Sequence, residues 1–233
     1  MTTHRLTSLL TIASIAVATA CSDELVPSID AGAAIAGDNG ITTCGKPAVF
    51  LADEGVTIIG GPPDALQNTD KIVAPGEVEV YEPVADRARA DEVRVAVLDR
   101  LAELRIPAFT RRPAAVPFMM VVIDGEPTGW GGLGFSAAYD CDNDTPHDIA
   151  YVNFRAHERY GTSALVHAVL IVVGISAGLD ATDRIAAPTN CMRADGIVSD
   201  CVFADGVTIS AAYRRCSDGT QDQLVLLQAA HGC

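Results

Sequence analysis

The residues most able to do chemistry lie in one stretch. His167 stands in an apolar run, Leu165 to Val173, followed by Gly174 and then by Asp180 and Asp183. Two histidines at i and i+4 project from one helix face and can grip zinc, with a Glu between them as general base on the metal-bound water. Here the position after His167 is Ala168, and i+4 is Ile171. His167 offers one nitrogen, whereas catalytic zinc takes three protein ligands. The apolar neighbours Val166, Val169, Leu170, Ile171, Val172 and Val173 read as a core helix, which makes His167 a buried, hydrogen-bonded histidine. The remaining route to a metal is a different donor set: His167 with Asp180 or Asp183 and a distant His147 or His157.

Other candidate chemistry is thinner. Ser163, Ser176 and Ser210 lack a G-x-S-x-G context, so a serine hydrolase is not supported. The glycines of 129–135 have no following Lys and no helix start, which argues against phosphate binding and for a bending strand edge. Asp140-Cys141-Asp142-Asn143-Asp144 opens like a calcium loop. However, Thr145 replaces the required Gly and Tyr151 the required Glu, leaving an acidic surface turn.

The elements that would position these residues follow from periodicity. Ala48–Leu51 and Gly55–Ile59 read as strands broken by Gly60-Gly61-Pro62-Pro63. Glu77–Tyr81 alternates as a half-buried strand. Val93, Val97, Leu101 and Leu104 predict an amphipathic helix over 86–104. Pro117–Ile123 reads as a central strand, Ile149–Phe154 as another, and 217–230 as a final helix. The expectation is an α/β (α+β) domain: a mixed sheet, two main helices and a Cys-rich C-terminal helical tail.

Laid without gaps on H-E-x-x-H-x-x-G-x-x-H, the central stretch keeps His167 and Gly174. It replaces the Glu by Ala168 and the later histidines by Ile171 and Ala177. Together with Phe50–Gly61, the 86–104 helix, Arg112-Pro113 before the 117–122 strand, and Asp140-Cys141, it resembles the metzincin-like zinc metallopeptidases of the secreted myxobacterial type. Members read D-x-x-D-x-M after the helix. Asp180 and Asp183 keep that spacing, and the methionine falls at Ile185. The resemblance spans about 46–233 and implies a mixed sheet preceding the zinc helix, with the Gly letting the chain turn so that a third ligand returns to the metal. It also implies that catalysis has been lost, because Ala168 cannot accept a proton and no ligand set remains. The expected cofactor is none, with zinc only if unorthodox ligands serve.

The chain ends carry separate signals. His4 and Arg5 precede an apolar run, Leu6–Ala20, too short to span a bilayer, and Val17-Ala18-Thr19-Ala20-Cys21 resembles a lipobox. The expected layout is a lipoprotein signal peptide at 1–20, acylation of Cys21, a flexible tether at 21–45 and a domain at 46–233. With 30 acidic and 16 basic residues, a net charge of −14, nucleic acid is excluded as a partner. The other cysteines, Cys44, Cys141, Cys191, Cys201, Cys216 and Cys233, contain no C-x-x-C pair and read as disulfides of an exported chain. Short loops close most easily. The expected pairs are therefore Cys191–Cys201, Cys216–Cys233 and Cys44–Cys141. The functional expectation is a lipid-anchored, periplasmic or cell-surface pseudoenzyme that binds a protein or peptide in its old substrate cleft. The alternatives are an active zinc metallopeptidase or a structural envelope lipoprotein.

Overall fold

The computed structural model describes residues 36–123, 135–141, 143–145, 147–182, 185, 187–193 and 195–232. Its main sheet orders five strands as β5 (Ala108–Phe109), β1 (Ala48–Ala52), β6 (Phe118–Ile123), β8 (Ile149–Val152) and β7 (Phe135–Ser136). The first four run parallel, and β7 pairs antiparallel at the outer edge of β8. A second sheet, β3 (Thr69–Asp70), β2 (Val56–Gly60) and β4 (Val78–Tyr81), covers one face. The fold is thus mixed α/β, as expected of the α+β class.

Strand alternation explains the layering. Val49, Leu51, Met119, Val121, Ala150 and Val152 point to the helical face. Ala48, Ala52, Phe118, Met120, Ile149 and Tyr151 point to the small sheet, where Ile58, Val73 and Tyr81 meet them. Both faces of the parallel strands are buried, so these strands read as continuous apolar runs rather than alternating ones.

On the helical face, α1 (Arg87–Glu103) packs against α3 (Thr162–Ser176). Asp86 caps α1 by accepting from Arg89 N at 3.0 Å. Arg94 ties α1 to the end of β1, donating from Nη2 and Nε to the buried Asp53 carboxylate at 2.5 and 3.0 Å. The short α2 (Phe154–Glu158), capped by Asn153, leads into α3.

α3 carries no charge and is buried almost all round. The resemblance implies a turn at Gly174, but the helix runs on to Ser176. The turn comes at Gly178, φ +81°, where Leu179 N donates to Gly174 O at 2.8 Å and Gly178 N to Ile175 O at 3.0 Å. Gly174 serves close packing instead: a Cβ there would lie 2.3 Å from Met192 Sδ.

The C-terminal part holds a ribbon of β9 (Val207–Thr208) and β10 (Thr220–Gln221), then α4 (Gln223–Ala230). α4 is shorter than the expected 217–230 helix because Ser217 is drawn into a carboxylate site and residues 220–221 join the ribbon. The expected tether is docked where it is described. Asn39 Nδ2 donates to Ile106 O at 2.8 Å, and Thr110 N to Asp38 Oδ2 at 2.7 Å.

Cys191–Cys201 forms as expected. The other two expected pairs do not: Cys141 bonds Cys216, 75 residues away. Cys44 is also disulfide-bonded, but not to Cys141. Loop length lost to tertiary placement. A Cβ at Gly178 would lie 3.0 Å from the Asp140 and Cys141 carbonyl oxygens, and Asp180 holds the 215–217 backbone, which brings Cys216 beside Cys141. The disulfides fit an oxidising, non-cytoplasmic setting. Among the described residues, no helix is long and apolar enough to cross a membrane.

Candidate functional site

The N-terminal half of α3, α2 and the outer strand β7 enclose a cleft of about 520 Å³. Phe135, Arg155, His157, Tyr160, His167, Ala168 and Ile171 line it, with Arg159, Gly196 and Ile197. Three of the motif positions, 167, 168 and 171, therefore face one cavity. The i, i+4 spacing on α3 puts His167 and Ile171 on one side of the helix.

His167 is 3% exposed. Val198 N donates to its Nδ1 at 3.3 Å, so the neutral ring carries its proton on Nε2, which has no hydrogen-bond partner among the described residues. Burial pushes the imidazole down to about 4; a backbone hydrogen bond with Cys191 opposes this, while nearby Arg193 and His157 act with burial. His167 is neutral at ordinary pH and presents a donor. It cannot serve as a base for Ser163, because its one acceptor lone pair is taken. His157 stacks on the Phe135 ring with centroids 6.4 Å apart. On its other flank His167 lines a second groove of about 430 Å³ with Asp99, Arg100, Glu103, Ser163 and Asp200.

The structure brings His157 and His167 into one cleft and leaves Asp180 and His147 elsewhere. Asp180 is fully buried at the far end of α3. Its Oδ1 accepts from Arg215 N at 2.7 Å and Cys216 N at 2.9 Å, and its Oδ2 from Ser217 N at 2.9 Å and Ser217 Oγ at 2.5 Å. No lone pair is left for a metal in that arrangement. Ala177 caps α3, and ten helical residues put it about 15 Å along the axis from His167. A ligand there could not return to His167, since the chain does not turn at Gly174. His147 lies across the sheet, its Nδ1 3.3 Å from Phe118 O. Ile185, at the expected methionine position, is 88% exposed, while the buried Met192 packs on Gly174. Asp183, Cys21, Cys233 and Gly129–Gly134 lie outside the described residues.

Ala168, Ile171 and Ala177 offer no donor, and among the described residues no group of three or more His, Cys, Asp or Glu side chains could hold a metal ion.

A second polar cluster went unread in the sequence. Between the sheets, Tyr151 OH donates to Asp70 Oδ2 at 2.9 Å, and the Tyr81 ring lies 5.4 Å from that of Tyr151. Burial raises Asp70 and both tyrosines. Asp148, just before β8, is 3% exposed. Burial, then the charges of Asp140 and Asp70, push it up to about 7, so it holds a proton near neutrality. The only trace in the sequence is an acid adjoining an apolar strand. Asp140 itself closes the 140–145 turn, accepting from Asp144 N at 2.9 Å and Thr145 N at 2.7 Å.

Compared with known proteins, the chain matches no family model, no curated protein and no solved structure.

Proposed function

We propose that this chain is a lipid-anchored, extracytoplasmic pseudoenzyme: a metallopeptidase-like domain that has lost its zinc chemistry and binds a peptide or protein segment in the cleft beside His167. One observation carries the reading. The motif positions 167, 168 and 171 line an open cleft with Phe135, but the side chains there are a donor histidine, a methyl and a branched alkyl group. Among the described residues these three positions offer a groove able to bind and no general base to activate water. The mixed sheet preceding α3, with its antiparallel outer strand beside the cleft, supports the metzincin-like assignment. The regular helix through Gly174 departs from it, since the turn that would return a third ligand is absent.

The cleft part is tested on the purified full-length mature chain. Peptides from a casein digest should bind without being cleaved, metal analysis should find no stoichiometric zinc, and Tyr160→Ala should weaken binding several-fold with an unchanged melting curve. One tight zinc per chain, or cleavage of casein, would replace this reading with that of an active metallopeptidase. Retained binding in Tyr160→Ala would place the peptide elsewhere. The anchor part rests on the small residues before Cys21. A fatty-acid probe should label the wild type and not Cys21→Ser, and equal labelling would remove the lipid.

A further inference from the structure

We propose that the open edge of β4 is a docking strand for an extended, basic segment of a partner protein, which joins the small sheet as a fourth strand. The site lies on the other side of the main sheet from α3 and does not depend on the cleft reading.

The register fixes which backbone groups are on offer. The small sheet runs β3-β2-β4, so β4 pairs with β2 and is its last strand. Gly60 N donates to Glu77 O at 3.0 Å, which makes Gly60 and Glu77 a hydrogen-bonded antiparallel pair. Such pairs alternate along the ladder, so Glu79 and Tyr81 also turn their backbone groups towards β2. Val78 and Val80 therefore turn theirs the other way, to the edge, where they meet no partner among the described residues. Ile59 N donates to Asn68 O at 2.8 Å, on the β3 side of β2, as this register requires.

The side chains say what kind of strand fits. Val78 and Val80 are each 60% exposed, and Ile59, directly across from Val78, is 44% exposed. They form an apolar row on the outer face of a sheet whose other face is buried through Ile58 and Tyr81. A β-branched row at an unpaired edge is a template for strand addition. Glu77 and Glu82 flank it, exposed, and Glu79 lies half-buried between the two valines in the chain. From Ile72 to Asp86 there is no Lys or Arg. A strand laid antiparallel on β4 sets alternate residues beside Val78 and Val80, and the residues between them beside Glu77 and Glu79. The first set is matched by apolar side chains and the second by basic ones. A second copy of this chain fits poorly. With Val78 opposite Val80 of the copy, the two Glu79 carboxylates meet, and with Val78 opposite Val78, Glu77 meets Glu79. With Val80 opposite Val80, Val78 faces Glu82. Two chains of net charge −14 also repel. The glutamates that keep copies apart are the ones that attract a basic strand.

Three acetylated and amidated hexapeptides test this by calorimetry on the full-length mature chain: alternating Lys and Val, alternating Glu and Val, and the Lys-Val sequence N-methylated at its valines. The Lys-Val peptide should bind about tenfold more tightly than the Glu-Val peptide. N-methylation should remove that binding, because it takes away the N–H groups that face Val78 and Val80. In saturating Lys-Val peptide the Val78 and Val80 amides should exchange hydrogen about tenfold more slowly, while the Glu79 amide, already bonded to β2, changes little. Val80→Pro removes an edge N–H that β2 does not use, and should weaken binding about tenfold with the melting curve kept. If that variant melts early, the N-methylated peptide carries this arm of the test. Glu77→Gln/Glu82→Gln, both exposed, should narrow the preference for Lys-Val several-fold. Equal binding of the Lys-Val and Glu-Val peptides would overturn the basic partner. Binding that survives N-methylation, or that leaves Val78 and Val80 unprotected, would overturn strand addition. Binding of no peptide overturns the proposal as well, and a free chain that sediments as a dimer with both valine amides protected replaces the partner with a second copy.

Discussion

The two ends of α3 treat a buried polar residue in opposite ways. At the far end Asp180 has every oxygen engaged, by three backbone N–H groups and a serine hydroxyl. At the near end His167 accepts one bond at Nδ1, and its Nε2 makes no hydrogen bond of normal length among the described residues. Both residues come from the same motif-like stretch. A saturated group is spent on structure, here on clamping 215–217 and positioning Cys216 for its disulfide with Cys141. An unsaturated group in a cavity is what a ligand can use. The difference separates the framework of the domain from its site.

The sharpest way to break this comparison is Asp180→Ala. It orphans four donors at once, and we expect a loss of about 4 kcal/mol in urea unfolding, with the C-terminal part exchanging amide hydrogens first. A loss below about 1 kcal/mol would mean that the clamp is not what holds that part, and the contrast would fail.

A smaller effect separates two buried groups by the sign of their pH dependence. The Asp148 carboxyl goes from 3.8 unfolded to about 7 folded. The folded chain then holds a proton that the unfolded chain has released, so this group's contribution to stability is full below about 3.8 and is lost as pH rises towards about 7. His167 goes from 6.5 unfolded to about 4 folded, so the unfolded chain binds the extra proton and stability rises with pH between those values. The two slopes oppose each other in the wild type. Asp148→Asn should leave a melting temperature that rises with pH over the His167 range and exceeds the wild type at pH 8. No gain at pH 8 would show that Asp148 is not held protonated.

The smallest change is expected for His167→Gln: about 1 kcal/mol at pH 7 for the bond from Val198, with a flatter loss on the acid side. A cost as large as that of Asp180→Ala would make His167 a framework residue too, and the cleft would lose its spare donor as an argument.

Much of the framework was legible from periodicity. The α1 heptad-like spacing of Val93, Val97 and Leu101, the continuous run of β6 and the uncharged α3 all place themselves, because each buries the surface its pattern declares. The cleft was legible only in part. His167 stood out by type, but Arg155 and His157 belong to a five-residue helix, capped by Arg159, whose orientation depends on Asn153 and on packing against α3. Nothing in their spacing says that they face His167. Asp70 is likewise far in the chain from Asp148 and Tyr151, and it meets them only because β3 and β8 lie in stacked sheets.

By itself the sequence determined that positions 168, 171 and 177 carry no zinc donor, that the chain is acidic, and that α3 must be buried. Those are properties of residue types, and no packing can add a nitrogen to an alanine or an isoleucine. The tertiary structure decided where the helix ends and which cysteines meet. Gly174 and Gly178 are equally able to end a helix, but Met192 fills the space at the first, and the carbonyls of Asp140 and Cys141 abut the second. Cys216 reaches Cys141 because Asp180 gathers its backbone, not because the intervening loop is short. Such choices rest on contacts between residues distant in sequence, whose energies exist only once the sheet and α3 have brought them together.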